Sequence, residues 1–213
     1  MNLQLHLLRH GQTPMSRDNV FCGAGLDPEL TAEGAGMARA FAAAYGATKW
    51  EAVYASPLRR TVATAQPLCD AADLQPQLRA DLKEIHYGQW EGQNTAWVDQ
   101  RFHDDYLRWT ADPAWNAPTG GEPAVAIARR ALQVVEEIKQ RHTAGNVLIV
   151  SHKATIRILL CGLLGIDVGR FRYRLACPVG SVSRIEFTNE GPLLHALADR
   201  THLTADLRSL PGT

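Results

Sequence analysis

Three short stretches of this sequence gather side chains able to handle a negatively charged group. Arg9-His10 closes the apolar run from Leu3 to Leu8, Arg59-Arg60 comes just after Ser56-Pro57, and His152-Lys153 follows Val147–Ser151. An imidazole can attack, donate or accept a proton near neutral pH, because its neutral form is populated there. Arginine adds a planar fork of donors that matches phosphate oxygens. Gathered without an anion, these cations would repel one another. The grouping therefore points to a phosphate-bearing ligand, provided that the fold brings the three stretches to one crevice.

The elements around them predict such a crevice. Leu3–Arg9, Glu51–Ala55 and Asn146–Val150 read as short buried strands. Thr31 reads as the N-cap of an alanine-rich helix running to about Tyr45, and Ser56-Pro57 as the N-cap and first position of a helix to about Cys69. Ala154–Leu164 follows the third strand as another helix. Strand then helix, three times over, predicts parallel strands with crossover helices. Ligands of such sheets bind beyond the carboxyl ends of the strands, where the three basic stretches fall. A helix N-terminus at His152 predicts backbone donors and a favourable dipole for the anion.

Val125–His142 has apolar residues at 127, 131, 134, 135 and 138, the period of a long amphipathic helix. Ser181–Phe187 and Leu193–Ala198 read as an antiparallel hairpin at the sheet edge, turning at Gly191-Pro192. Residues about 84–123 break the pattern. They hold Trp90, Trp97, Trp109 and Trp115, four of the five tryptophans, and end in the loop signal Pro118–Pro123. This stretch is expected to be a helical cap inserted over the sheet edge.

Composition bounds the rest. The 213 residues are 46% hydrophobic and 21% charged, enough apolar material for one domain over 1–213 with a full core. Lys+Arg and Asp+Glu are equal at 22, which argues against a nucleic-acid partner held by bulk charge. Cys22, Cys69, Cys161 and Cys177 form no CxxC pair and read as small buried hydrophobes in a reducing, cytoplasmic setting. Leu3–Leu8 is too short for a signal-peptide core and is broken by His6. The longest uncharged apolar stretch, Ile158–Ile166, falls far short of the roughly 20 residues that span a bilayer, so no membrane partner is expected. No metal-ligand spacing is found among the histidines, and no metal is expected.

Leu7-Leu8-Arg9-His10-Gly11-Gln12-Thr13 resembles the signature of the histidine phosphatase superfamily, which includes the cofactor-dependent phosphoglycerate mutases. Four further segments resemble the family in its order. They are Phe21-Cys22-Gly23 with Leu30–Gly34, Ser56–Thr61 with Thr64-Ala65, Leu82–Gly88 with Gln89–Gly92, and Val147–Ser151 with His152. Together they cover about residues 3–165. The fold implied is a three-layer α/β/α sandwich, with a mostly parallel central sheet, an antiparallel edge strand and the small helical cap. The family often forms dimers, so a homodimer is among the expectations.

The resemblance also implies roles. His10 holds the position of the nucleophile that becomes a phosphohistidine. Arg9 and Arg60 would hold phosphoryl oxygens, Arg60 rather than its neighbour Arg59 because the family's arginine stands just before the position of Thr61. His152 would stabilise the transition-state charge, since phosphoryl transfer needs mainly positioning and electrostatics. Glu84 would protonate the leaving alcohol and then activate water. Glu91, in its Trp-Glu-Gly triplet, is expected to be structural.

Some positions depart from the family pattern. Ser16 stands where asparagine is common, and Cys22 where threonine is frequent, leaving Gly23 to offer its backbone N–H. Lys153 replaces a common glycine after the second histidine, and Tyr87 keeps a tyrosine found in mutases. These four, with Gly23 and His202 of the C-terminal segment Arg200–Leu203, form the expected substrate-binding set of Ser16, Cys22, Gly23, Tyr87, Lys153 and His202.

The expected function is a metal-independent phosphomonoesterase acting on a small phosphorylated metabolite without a cofactor. Phosphoserine comes first among the substrates, because Arg200–Leu203 resembles the tail of some phosphoserine phosphatases that helps close the pocket. 3-Phosphoglycerate, sugar phosphates and α-ribazole phosphate follow. Two alternatives stand beside it. One is a phosphoglycerate mutase primed by 2,3-bisphosphoglycerate, disfavoured by a short, rather acidic cap. The other is a catalytically silent binder of phosphorylated ligands, disfavoured by the presence of both nucleophile and acid.

Overall fold

The computed structural model describes residues 2–212. Its first strand, β1 (Asn2–Arg9), sends Leu3, Leu5 and Leu7 to one face of the sheet and Leu8 to the other, all buried. A strand apolar on both faces needs cover on both. After it come the short helix α1 (Pro14–Arg17), α2 (Ala32–Tyr45), β2 (Trp50–Ala55), α3 (Arg59–Ala72) and the two-residue strand β3 (Gln77–Leu78). Two short helices, α4 (Thr95–Arg101) and α5 (His103–Ala111), lead into α6 (Ala124–Arg141), β4 (Ala144–Ser151) and α7 (Lys153–Leu164). Then follow α8 (Phe171–Arg174), β5 (Val182–Thr188), β6 (Gly191–Asp199) and α9 (Ala205–Ser209).

The sheet runs in the order β3-β2-β4-β1-β5-β6. β1, β2, β3 and β4 are parallel, while β5 and β6 pair antiparallel beside β1. One face packs on α6 and α7, through Ile127, Val134, Val135 and Ile138 of the first and Ile156, Leu159 and Leu160 of the second. Each such side chain, fully buried, contributes about 1.5–3 kcal/mol. The other face packs on α2 and α3, through Phe41, Ala65 and Leu68. This is the expected mostly parallel α/β/α arrangement with an antiparallel edge.

The boundaries differ from expectation at informative places. Thr31 caps α2, its hydroxyl accepting from Gly34 N. Ser56, by contrast, does not cap α3: that helix begins at Arg59, Leu58 is its N-cap, and no side chain caps it. The edge hairpin turns at Asn189-Glu190, and Gly191-Pro192 already belongs to β6. Thr188 accounts for this, because its hydroxyl accepts from Glu190 N and donates to Gly191 O, closing the turn one step early. β3, α1, α8 and α9 are too short to show a hydrophobic period, and the sequence did not announce them.

Between Lys83 and α6 the chain builds a small aromatic cluster of its own. Trp90, Val98 and Trp109 are buried there, with Phe21, Tyr87 and Tyr106 packed around them. Trp90 and Trp109 meet edge to face at 5.3 Å. Trp115 stays outside, 75% exposed, so the tryptophans of this stretch are not one core.

Candidate active site

The carboxyl end of β1 delivers Arg9 and His10. The His10 amide donates to Ser151 O at the end of β4, at 3.1 Å, so the two central strands finish side by side. His10 Nδ1 lies 2.8 Å from Gly11 O. A carbonyl oxygen only accepts, so Nδ1 carries the proton and Nε2 keeps its lone pair. Burial, then the charges of Arg60 and Arg9, hold His10 well below the usual histidine range. The ring is thus neutral at neutral pH. Gly11 fixes the loop that follows: a Cβ on Gly11 or on Gly34 of α2 would collide with the other segment's backbone.

Arg60 arrives from the first turn of α3 and is almost fully buried. Its guanidinium donates to Leu26 O at 2.7 Å, to Gly23 O at 3.1 Å and to His152 Nδ1 at 3.3 Å, with Asp27 at 3.7 Å. Arg59 instead points to solvent and pairs with Glu29, as the sequence reading separated them. His152 is the N-cap of α7, and its ring lies 5.2 Å from that of His10. Since arginine only donates, His152 Nδ1 accepts, and the ring proton sits on Nε2, 2.8 Å from Ser56 Oγ. Burial first, then Arg60 and His10, push His152 well below its usual range too. Ser56 is the residue the sequence reading assigned to a helix cap, and here it orients the second histidine.

Glu84 is buried and reaches the same place from the other side. Its Oε1 accepts from Ile85 N at 3.0 Å, Thr155 N at 3.2 Å and Thr155 Oγ1 at 3.2 Å, while Oε2 accepts from Ala154 N at 3.1 Å. The amides at the start of α7, expected to serve a bound anion, are therefore engaged by this carboxylate.

These groups open into a cavity of about 150 Å³, whose wall includes Arg9, His10, Arg60, Glu84 and Lys153. Of the expected substrate-binding set, Ser16, Cys22, Tyr87 and Lys153 also line it. Ser16 Oγ is engaged, however, accepting from Thr13 N and donating to Thr13 O in a capping box. Burial raises the Cys22 thiol to about 11, so it is a neutral group in the wall. Gly23 is not part of the lining and contributes its carbonyl to Arg60. His202 corrects the sequence reading. Its ring packs edge-on to Phe41 and Tyr45 on the α2 side of the sheet, and no residue of 200–212 lines the cavity. The tail packs on Met37 and Val179 instead, and Pro211 O accepts from Gln12.

Glu91 is structural as expected, its Oε1 accepting from Gly25 N and Tyr87 N. Arg157, Arg172 and Trp109 are among the lining residues that escaped the sequence reading. Arg157 had a signal, standing one helical turn after Lys153 on the same face. Arg172 had none, because α8 is a single turn. Among the described residues no cluster of His, Cys, Asp and Glu is set to hold a metal ion, and no helix is long and apolar enough to cross a membrane.

The chain is similar to known phosphatases. The chain is 29% identical to phosphoserine phosphatase 1 of Hydrogenobacter thermophilus, with 94% of each covered. It is 28% identical to the adenosylcobalamin/alpha-ribazole phosphatase of Escherichia coli, over 76% of this chain and 80% of that one. The solved structure of mycobacterial glucosyl-3-phosphoglycerate phosphatase superposes with a TM-score of 0.85 at 27% identity, covering 94% of this chain and 100% of its own. The model of the histidine phosphatase superfamily, branch 1, matches residues 5–200. With two histidines and two arginines converging at the strand ends beside a buried glutamate, the chain belongs to the histidine phosphatase superfamily and is a phosphoric monoester hydrolase.

Proposed function

We propose that the protein hydrolyses a small phosphomonoester through a phosphohistidine at His10, with phosphoserine the first substrate to test. The observation that carries this reading is the state of His10. Its Nδ1 is tied to Gly11 O, and the ring is held neutral beside Arg9 and Arg60. Nε2 is then a lone-pair donor facing a site that favours anions.

In the first step Nε2 forms a bond to phosphorus as the ester P–O bond breaks. The proton on Glu84 passes to the leaving alcohol oxygen. Arg9 and Arg60 hold the phosphoryl oxygens, and their charges offset those that build up in flight. In the second step Glu84 takes a proton from water, whose oxygen attacks phosphorus as the N–P bond breaks. Phosphate leaves, and Glu84 is again protonated. Ser56 holds the ring of His152 in one orientation beside this site. The compact cavity supports a small metabolite over a phosphoprotein, and the three relatives named above are phosphatases of phosphorylated small molecules.

The test is phosphate release, without added metal, from phosphoserine, 3-phosphoglycerate and p-nitrophenyl phosphate, together with acid-quench trapping of labelled enzyme. Expected are release from at least one metabolite and acid-labile label that is absent in His10→Ala, whose turnover falls by roughly four orders of magnitude or more. Label that passes to 3-phosphoglycerate and not to water would overturn the hydrolytic reading in favour of a mutase. Label retained in His10→Ala would remove His10 from its role.

A further inference from the structure

Among the described residues, five cations line the cavity, Arg9, Arg60, Lys153, Arg157 and Arg172, against one carboxylate, Glu84. A phosphoryl dianion at Arg9 and Arg60 offsets two of these charges. Arg60 has Asp27 at 3.7 Å besides. The remaining three cations line the same cavity as Glu84, whose carboxylate is bonded to the amides of Ala154 and Thr155, directly after Lys153.

Lys153 and Arg157 are one turn apart on α7 and face the cavity together. Arg157 donates from NH2 to Arg172 O, which brings α8 against the same wall. The Arg172 guanidinium lies 3.8 Å from the centre of the Trp109 ring. The ion pairs of the described residues go to other cations, such as Arg60, Arg79, Arg130 and Arg141. Arg157 spends its donors on backbone carbonyls, Leu175 O among them.

Two further observations mark this end as built for an acceptor. Arg172 NH1 is buried and has no hydrogen-bond partner among the described residues, and the same holds for the indole Nε1 of Trp109. Both residues line the cavity. A buried donor without an acceptor is costly, a charged one most of all. Three mutually repelling cations and two orphaned donors in one wall are relieved together by a single anion of the right size.

We infer that Lys153, Arg157 and Arg172 form a second anion subsite that takes a carboxylate on the leaving group of the substrate. The inference rests on the phosphatase reading only in assuming that the phosphoryl group sits at His10. It narrows the substrate class to compact phosphomonoesters of hydroxy acids, such as phosphoserine or phosphoglycerate, and sets aside esters whose alcohol bears no anion. The subsite would place the carboxylate at Arg172 and the phosphorus at His10, with Glu84 in the wall of the same cavity.

Phosphoserine and phosphoethanolamine differ by the carboxylate alone and supply the test. The wild-type protein is expected to hydrolyse phosphoserine with a kcat/KM about 10- to 100-fold above that for phosphoethanolamine, the scale of a charge-assisted contact. Arg172→Gln and Lys153→Gln are expected to shrink that ratio at least about threefold each, chiefly through KM. Arg157 also ties the backbone of α8, so these two variants, and not Arg157→Gln, carry the experiment. Equal turnover of the two esters by the wild type, or equal losses on both in the variants, overturns the subsite and leaves the phosphatase reading standing. Calorimetric binding of the same pair to His10→Ala separates the two ideas. Preferential binding of phosphoserine by a protein whose wild type releases no phosphate upholds the subsite and overturns the reaction. The absence of both preference and release overturns both.

Discussion

The two ends of the cavity are made differently. At the phosphoryl end, His10 stands where β1 stops and His152 where β4 stops, and Arg60 lies in the first turn of α3. Their polar atoms are held by short bonds to backbone or to one another, as in His10 to Gly11 O and Arg60 to Gly23 O and Leu26 O. At the proposed leaving-group end the side chains come from the cavity-facing sides of α7 and α8 and from the aromatic cluster, and Arg172 rests on the face of Trp109 with a donor unspent. The first end has His10, His152 and Arg60 anchored before substrate arrives. The second is completed by substrate. A pocket organised in this way keeps its reaction constant while its choice of alcohol depends on a few outlying residues.

Replacements that separate the two ends test this contrast. Glu84→Gln should act most strongly. Phosphoserine hydrolysis is expected to fall by about 10²- to 10³-fold. The first turnover of p-nitrophenyl phosphate, whose leaving group needs no proton, should survive as a burst of p-nitrophenol in stopped flow. An equally damaged burst would deny Glu84 its part as the acid.

Trp109→Ala probes the cap side. It removes a ring packed against Trp90, Phe21 and Tyr87 and under Arg172, and is expected to cost about 3–5 kcal/mol in denaturant unfolding. A change below about 1 kcal/mol would mean that the aromatic cluster is not the cap's own core.

Lys153 gives the pH signature of the leaving-group end. Burial, then Arg9 and Arg157, lower its ammonium to about 8, against smaller opposing effects from Cys177 and Glu84. A lowered lysine loses its charge as pH rises through that value, so KM for phosphoserine should climb several-fold between about pH 7 and 9. Lys153→Met should flatten the profile. On the acid side the depressed His10 stays neutral well below pH 6.5, so the nucleophile imposes no loss near that pH. His202→Ala should do least. It lies off the cavity, and kcat/KM should hold while stability falls by about 1–2 kcal/mol.

The same contrast decides what the sequence could reveal. The convergence of His10, Arg60 and His152 was legible because these residues follow short apolar runs, and strand ends in a parallel sheet are brought together by the topology itself. The core positions of α6 were legible for the same kind of reason: residues 127, 131, 134, 135 and 138 repeat at the helical period and all are buried. Arg172 was not legible, because one helical turn has no period and its meeting with Trp109 spans more than sixty residues of chain. Ser56 misled because serine before proline is a good helix cap in isolation. Here its hydroxyl finds the histidine ring from β4, a partner 96 residues away. His202 misled for the opposite reason. A short local likeness carried a role that the packing of the tail against Phe41 and Tyr45 does not allow.

The first turns of α7 serve several parts of the site at once. His152 caps the helix, the amides of Ala154 and Thr155 clamp Glu84, and Lys153 and Arg157 face the cavity. Mutational drift or laboratory redesign thus has little freedom there, since tilting the helix to suit a new alcohol would displace the proton donor by the same movement. α8 and the cap bear no such shared burden. New substrate preferences can be selected through positions such as Arg172, whose backbone and not its guanidinium is tied to α7.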